Sequence, residues 1–225
     1  MMNERRIIIL FVKYPQQGRV KTRLARTVGD EEAVLIYRSL VAHLIGMLRE
    51  TDADELCVSF DPADKRAEVE MWIDGLWSAE KEGALATSPV LTFRPQCEGD
   101  LGERMETTFS EIFQQHEEEE MPTPFIVAMG SDCIELDGQT LQAAWQALRA
   151  KDVVFGPTVD GGYYLLAMKA LQPVLFQDIP WSMEDTLEVS LQRCRDAGLQ
   201  VELLDEKHDI DTEEDWLQQQ GFIVG

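Results

Sequence analysis

The chain has 225 residues, 44% hydrophobic and 28% charged, which suits one folded globular domain spanning 1–225. Its formal net charge of −22 repels polyphosphate backbones and argues against general nucleic-acid binding. No apolar run approaches the roughly 20 residues a membrane helix needs, and Met1 to Arg6 is polar where a secretory signal would be apolar, so a cytoplasmic protein without a membrane partner is expected.

Arg6 to Val12 (RIIILFV) is a continuous apolar run, the sign of a strand buried on both faces of a parallel sheet. The next segment holds Lys13, Arg19, Lys21, Arg23 and Arg26 and no acidic residue, an anomaly in so acidic a chain. Its Gly-x-x-Lys-Thr ending is not a P-loop. That motif needs glycines where Pro15 and Val20 stand, and a β-branched residue cannot take the required backbone shape. The stretch reads instead as a loop, pinned by Pro15 and loosened by Gly18, that leaves the carboxyl end of a strand and feeds a helix near Lys21. Ligands of open α/β sheets bind at such loops, and a helix N-terminus favours an anion, so a diphosphate is the expected partner. Surface positives that balance an acidic protein are the alternative.

Asp30 is expected to cap a long amphipathic helix, whose apolar face runs through Ala33, Tyr37, Leu40, Val41, Leu44 and Leu48. Glu55 to Phe60 and Val90 to Arg94 read as strands, and Leu101 to Gln115 and Thr140 to Lys151 as helices. Glu117 to Glu120 reads as a solvated helix end and loop. Phe125 to Met129, Asp152 to Gly156, Tyr163 to Met168 and Gln200 to Leu204 complete the strands. Ser182 with Asp185, and Thr212 with Asp215, have the spacing of helix-opening capping boxes. Alternating strands and helices, without repeat or linker, predict an α/β fold. Cys57, Cys97, Cys133 and Cys194 contain no C-x-x-C pair and are expected to be reduced structural thiols. His43, His116 and His208 are too scattered to build a metal centre.

Gly130-Ser131-Asp132-Cys133 follows an apolar strand directly, which puts Asp132 at the sheet's carboxyl edge beside the basic loop. Asp209-Ile210-Asp211 stands between another strand and a capped helix. Carboxylates from two strand ends suit a hard divalent ion, Mg²⁺ or Mn²⁺, completed by a substrate phosphate. A capping or turn aspartate is the other reading of Asp211. Asp160-Gly161-Gly162-Tyr163 must contain a turn, and Asp160 within it is a candidate base or acceptor-binding group. Gly99-Asp100-Leu101-Gly102-Glu103-Arg104 is either a helix-opening loop or a base or sugar contact.

The ordered set F-V-K-Y-P-x-x-G-R-V-K-T-R-L-A, G-D-L-G-E-R-M, G-S-D-C, D-G-G-Y-Y-L-L, I-P-W-S and D-I-D-T-E-E-D-W resembles the small bacterial glycosyltransferases often called radical-SAM/selenodomain-associated transferases. The resemblance spans Phe11 to Trp216. It implies the nucleotide-diphospho-sugar transferase superfamily and its GT-A fold, a three-layer α/β/α arrangement with a mostly parallel central sheet. It places Lys13, Gly18, Lys21 and Arg23 in the nucleotide-phosphate loop and Asp132, Asp209 and Asp211 at the metal; on the base-or-sugar reading of its own loop, Asp100 joins the nucleotide-binding residues. It also puts Gly161, Gly162, Tyr163, Trp181 and Ser182 in the acceptor pocket. Two positions depart from the family pattern: Ile134 stands where proline is usual, and Met183 where threonine is usual. The expected activity is metal-dependent transfer of a sugar from a nucleoside diphosphate sugar to a small acceptor, with Asp160 acting on the acceptor hydroxyl. A nucleotidyltransferase on the same scaffold and a catalytically silent nucleotide-binding protein are the alternatives.

Overall fold

The computed structural model describes residues 4–78 and 88–222. Among them, seven strands form one sheet: β1 (Arg6–Lys13), β2 (Glu55–Asp61), β3 (Val90–Pro95), β4 (Phe125–Met129), β5 (Val153–Pro157), β6 (Tyr163–Met168) and β7 (Val201–Leu203). Their order is β3-β2-β1-β4-β6-β5-β7. β6 runs antiparallel to β4 and β5, and the other pairings are parallel. The helices are α1 (Ala25–Val28), α2 (Asp30–Leu48), α3 (Arg66–Trp77), α4 (Leu101–Glu118), α5 (Gly138–Leu148), α6 (Thr186–Asp196) and α7 (Glu213–Gln219).

The alternation of side chains along β1 explains the three layers. Ile8, Leu10 and Val12 pack with Tyr37, Val41 and Leu44 of α2, Val69 of α3 and Trp145 of α5. Ile7 and Ile9 point the other way, onto Met105, Phe109 and Ile112 of α4 and Cys194 of α6. A strand covered on both faces must be apolar at consecutive positions, which is why RIIILFV reads as an uninterrupted run. Burial of each such side chain contributes about 1.5–3 kcal/mol.

A third cluster decides where the site forms. Leu24 from the basic loop, Ile134 from the loop after β4 and Ile210 from the segment after β7 are all buried together against Ala33, Ile36 and Leu40 of α2. This contact holds three distant loops at one end of the sheet. It also gives Ile134 a packing role.

Several helix starts differ from the sequence expectation. Gly29, with φ of 87°, occupies the position before α2, so Asp30 is the first helical residue and supports the helix through its charge in the first turn. The chain near Lys21 forms turns, and the helix it feeds is the four-residue α1. Ser182 adopts a φ of 62° and α6 begins only at Thr186, whose hydroxyl donates to the Pro180 carbonyl and accepts from the Met183 N–H. The Thr212 and Asp215 capping box forms as expected. The four cysteines are free.

Candidate active site

Strand order reverses between β1 and β4, and a cleft of about 710 Å³ opens at their carboxyl ends. In an open α/β sheet the loops diverge at such a point and leave a crevice. Lys13 reaches the cleft from the end of β1, Asp132 from the loop after β4 and Asp160 from the turn after β5. Asp209 and Asp211 reach it from the segment after β7. Arg19, Lys21 and Arg23 line it from the basic loop. Gly18 does not; its φ of 71° shapes the turn that presents them, the left-handed conformation glycine adopts without strain.

The centre of the site is an ion-paired cluster. Lys21, its side chain only 4% exposed, donates to Asp132 Oδ1 at 2.8 Å, to Asp211 Oδ1 at 3.4 Å and to the Ile210 carbonyl. Arg23 holds the other oxygen of Asp211 at 3.0 Å. The Ile210 N–H donates to the Asp132 carbonyl at 3.0 Å, so backbone as well as charge ties the two acidic segments. Burial acts to lower the Lys21 pKa, but Asp132 and Asp211 outweigh it and raise it above the ordinary lysine value. Asp209 is different. Burial, then repulsion from Asp132, pushes its carboxyl up to about 7, against the pull of Lys21.

Across the cleft, Asp160 Oδ1 accepts from the Thr158 hydroxyl at 2.5 Å and from the Gly162 N–H at 3.2 Å. Gly162, Tyr163, Trp181 and Ser182 line this wall with it. The Tyr163 and Trp181 rings meet edge to face, 6.4 Å between centroids. Trp181 in turn lies against Gly102, where a Cβ would stand 2.6 Å from the indole nitrogen. Gly161 is not on the cleft wall. Its φ is 87° and a Cβ there would fall 1.8 Å from the Glu184 carbonyl oxygen, so its role is to let the β5–β6 turn close on the loop before α6.

Asp100 takes the helix-opening reading of its segment. Its carboxylate accepts from the Glu103 N–H at 2.9 Å while Glu103 reaches back to the Asp100 N–H, a complete capping box for α4. The same segment instead presents Gly99 and Arg104 to the cleft. Arg104 is held by the Gly99 carbonyl at 3.1 Å, Gln96 at 3.3 Å and Asp61 at 3.5 Å. Gln96 donates to the Ser59 and Val12 carbonyls at 2.8 and 3.3 Å, which joins the ends of β1, β2 and β3. Gln96 immediately follows β3, so the strand-end logic that finds Asp132 also finds it. Tyr37 has no such signal. It reaches the site from the middle of α2, where its hydroxyl accepts from the Lys13 N–H at 2.8 Å and lies 3.3 Å from Ser131.

Sheet order, layer arrangement and cleft position define a protein of the nucleotide-diphospho-sugar transferase-like fold, and the comparisons agree. The chain belongs to the family described as "Uncharacterized protein conserved in bacteria (DUF2064)", whose model matches residues 61–183. It is similar to a candidate nucleotide-diphospho-sugar transferase from Desulfovibrio desulfuricans G20, with a TM-score of 0.79 and 27% identity over 99% of this chain and 98% of that one. It also shares its fold with CMP:2-keto-3-deoxy-manno-octonic acid synthetase complexed with CTP, with a TM-score of 0.58 and 12% identity over 98% of this chain and 99% of that one. A third neighbour is Rv0371c of Mycobacterium tuberculosis H37Rv in complex with manganese, with a TM-score of 0.50 and 16% identity over 99% of this chain and 100% of that one. No curated protein sequence matches the chain. Among the described residues no helix is long and apolar enough to cross a membrane.

Proposed function

We propose that the protein transfers a sugar from a nucleoside diphosphate sugar to a small acceptor, with a divalent ion, Mg²⁺ or Mn²⁺. The observation that carries this reading is the convergence of a cationic loop and the carboxylates Asp132, Asp209 and Asp211 at the sheet's switch point. Cations there meet a diphosphate, and carboxylates clustered beside them at the strand ends supply the oxygens a divalent ion takes. The resemblance of the ordered motifs to the radical-SAM/selenodomain-associated transferases and the likeness to the Desulfovibrio protein support the same reading.

The residues fit a hard ion in chemistry. Among the described residues no preformed group of three or more His, Cys, Asp and Glu stands ready for one. Asp132 and Asp211 nonetheless already converge on a single cation, the Lys21 ammonium, and Asp209 lies close enough to Asp132 that burial, then that carboxylate's charge, raises its pKa. Asp132, Asp209 and Asp211 would hold the ion, which when bound neutralises the charge that develops on a departing diphosphate. Lys13, Arg19 and Arg23 bind and orient that diphosphate electrostatically, the largest share of such catalysis. Asp160, fixed by Thr158 and Gly162, orients the acceptor hydroxyl and takes its proton. Tyr163 and Trp181 form the apolar wall that limits water on the acceptor side.

One observation favours a second reading. Arg104 adds a further cation to the cleft lining beside Lys13, Arg19 and Arg23, and a longer polyphosphate chain, as in a nucleoside triphosphate used for nucleotidyl transfer, would engage it. A thermal-shift panel of nucleoside diphosphate sugars and nucleoside triphosphates, each with and without Mn²⁺, separates the two. A ligand at a hundred times its Kd adds about 2.7 kcal/mol, or roughly 5–10 °C in Tm. A Mn²⁺-dependent shift with a sugar nucleotide is expected. A shift with triphosphates alone selects nucleotidyl transfer, and no shift with any ligand refutes both.

A further inference from the structure

Lys21 does not sit as a phosphate ligand ordinarily would. Within the basic loop its side chain is 4% exposed against 62% for Arg23, and it points down into the carboxylates. Two carboxylates and the Ile210 backbone carbonyl surround its ammonium. That is a set of hard oxygens a divalent ion takes, here wrapped around a lysine. The backbone is shaped for the purpose: Lys21 adopts a φ of 47°, a conformation a non-glycine residue keeps only when its surroundings enforce it. Val20 at 3% exposure and Leu24 at 0% anchor the loop on either side.

The arrival of a metal upsets the charge balance of this cluster. Asp132 and Asp211 are matched by Lys21 and Arg23, so the set is neutral. A divalent ion added to it leaves an excess of positive charge, of which Asp209 removes at most part. A diphosphate restores the balance. We propose that Lys21 is an internal cation that competes with the divalent ion for Asp132 and Asp211. It moves to the donor's phosphates when the ion enters, so that metal and nucleotide bind as a pair. This rests on the nucleotide-binding reading of the cleft given above.

The experiment is Mn²⁺ binding, followed by the electron paramagnetic resonance signal of the free ion, to the wild type and to Lys21→Met. Each is measured alone and with the four common nucleoside diphosphates. The wild type is expected to bind Mn²⁺ weakly alone and more tightly with a nucleotide. Lys21→Met should bind Mn²⁺ alone about tenfold more tightly than the wild type, and nucleotide should then add less. Equal or weaker Mn²⁺ binding by Lys21→Met alone overturns the competition. A variant that gains Mn²⁺ while neither protein binds a nucleoside diphosphate keeps the competition and removes the proposed function. The reverse pattern, with nucleotide-assisted Mn²⁺ binding in the wild type and no gain in the variant, does the opposite. Should Lys21→Met not fold, pulse acetylation of the wild type with mass-spectrometric readout decides. Lys21 reactivity relative to Lys13 must rise on adding Mn²⁺ alone, and unchanged protection at saturating Mn²⁺ refutes the proposal.

Discussion

Asp209→Asn should stabilise the metal-free protein, and more so at high pH. Asp209 has its carboxyl raised from 3.8 to about 7, by burial and then by Asp132. The sign comes from proton linkage. Between these two values the folded protein holds a proton that the unfolded chain has released, so stability falls as pH rises across that window and stays low above it. Moving the carboxyl from 3.8 to about 7 corresponds to roughly 4 kcal/mol at full strength. Asp209 retains some solvent access, and halving the figure for screening leaves about 2 kcal/mol above pH 7 and about 1 kcal/mol at pH 5.5. Asparagine keeps the shape and removes the charge. Thermal unfolding in EDTA should therefore give a Tm for Asp209→Asn about 4–8 °C above wild type at pH 8.5, with the gap roughly halved at pH 5.5. A gap independent of pH, or a variant less stable than wild type at pH 8.5, refutes the reasoning that Asp209 is a strained charge in the folded protein.

Asp132→Ala should abolish Mn²⁺-dependent nucleotide binding in isothermal titration while the far-ultraviolet circular dichroism is retained; undiminished binding removes Asp132 from the site. Gly161→Ala should cost about 2 kcal/mol or more in urea unfolding, because the new methyl meets the Glu184 carbonyl at a φ of 87°, and a cost below about 0.5 kcal/mol contradicts that contact. Thr212→Ala removes the side-chain acceptor for the Asp215 N–H and half of the α7 capping box, so a loss of about 1 kcal/mol in the same assay is expected. Leu24→Ala empties part of the cluster beneath the basic loop and should cost about 2–5 kcal/mol and weaken nucleotide binding together; lost stability with intact binding would detach that cluster from the site.

The candidate site was partly legible for a definite reason. Asp132 and Asp160 each follow a strand closely in sequence, so the rule that ligands meet the carboxyl ends of an open sheet locates them before any coordinates are known. Asp209 and Asp211 lie further from their short strand, yet the capping box at Thr212 marks their segment as the link to a helix. G-D-L-G-E-R leaves two readings open because it serves two purposes at once: its aspartate caps α4 while its arginine, four residues on, faces the cleft. Ser182 misled because S-x-x-D spacing is necessary for a capping box and not sufficient. A backbone turned to a φ of 62° cannot place the hydroxyl at a helix start four residues later.

What the sequence determined by itself is the fold class and the chemistry available at the sheet edge, because burial on two faces, helical periodicity and residues next to strand ends are local properties of the chain. The tertiary structure alone decided which of those groups meet. Lys21 and Asp211 are separated by 190 positions, and nothing local distinguishes a lysine aimed at solvent or phosphate from one buried between carboxylates. Their pairing depends on Leu24, Ile134 and Ile210 packing into a single cluster on α2, and on one backbone bond from Ile210 to Asp132. Long-range burial of that kind sets positions to within an ångström, and charge-pair energies in a shielded cleft depend on distance at that scale.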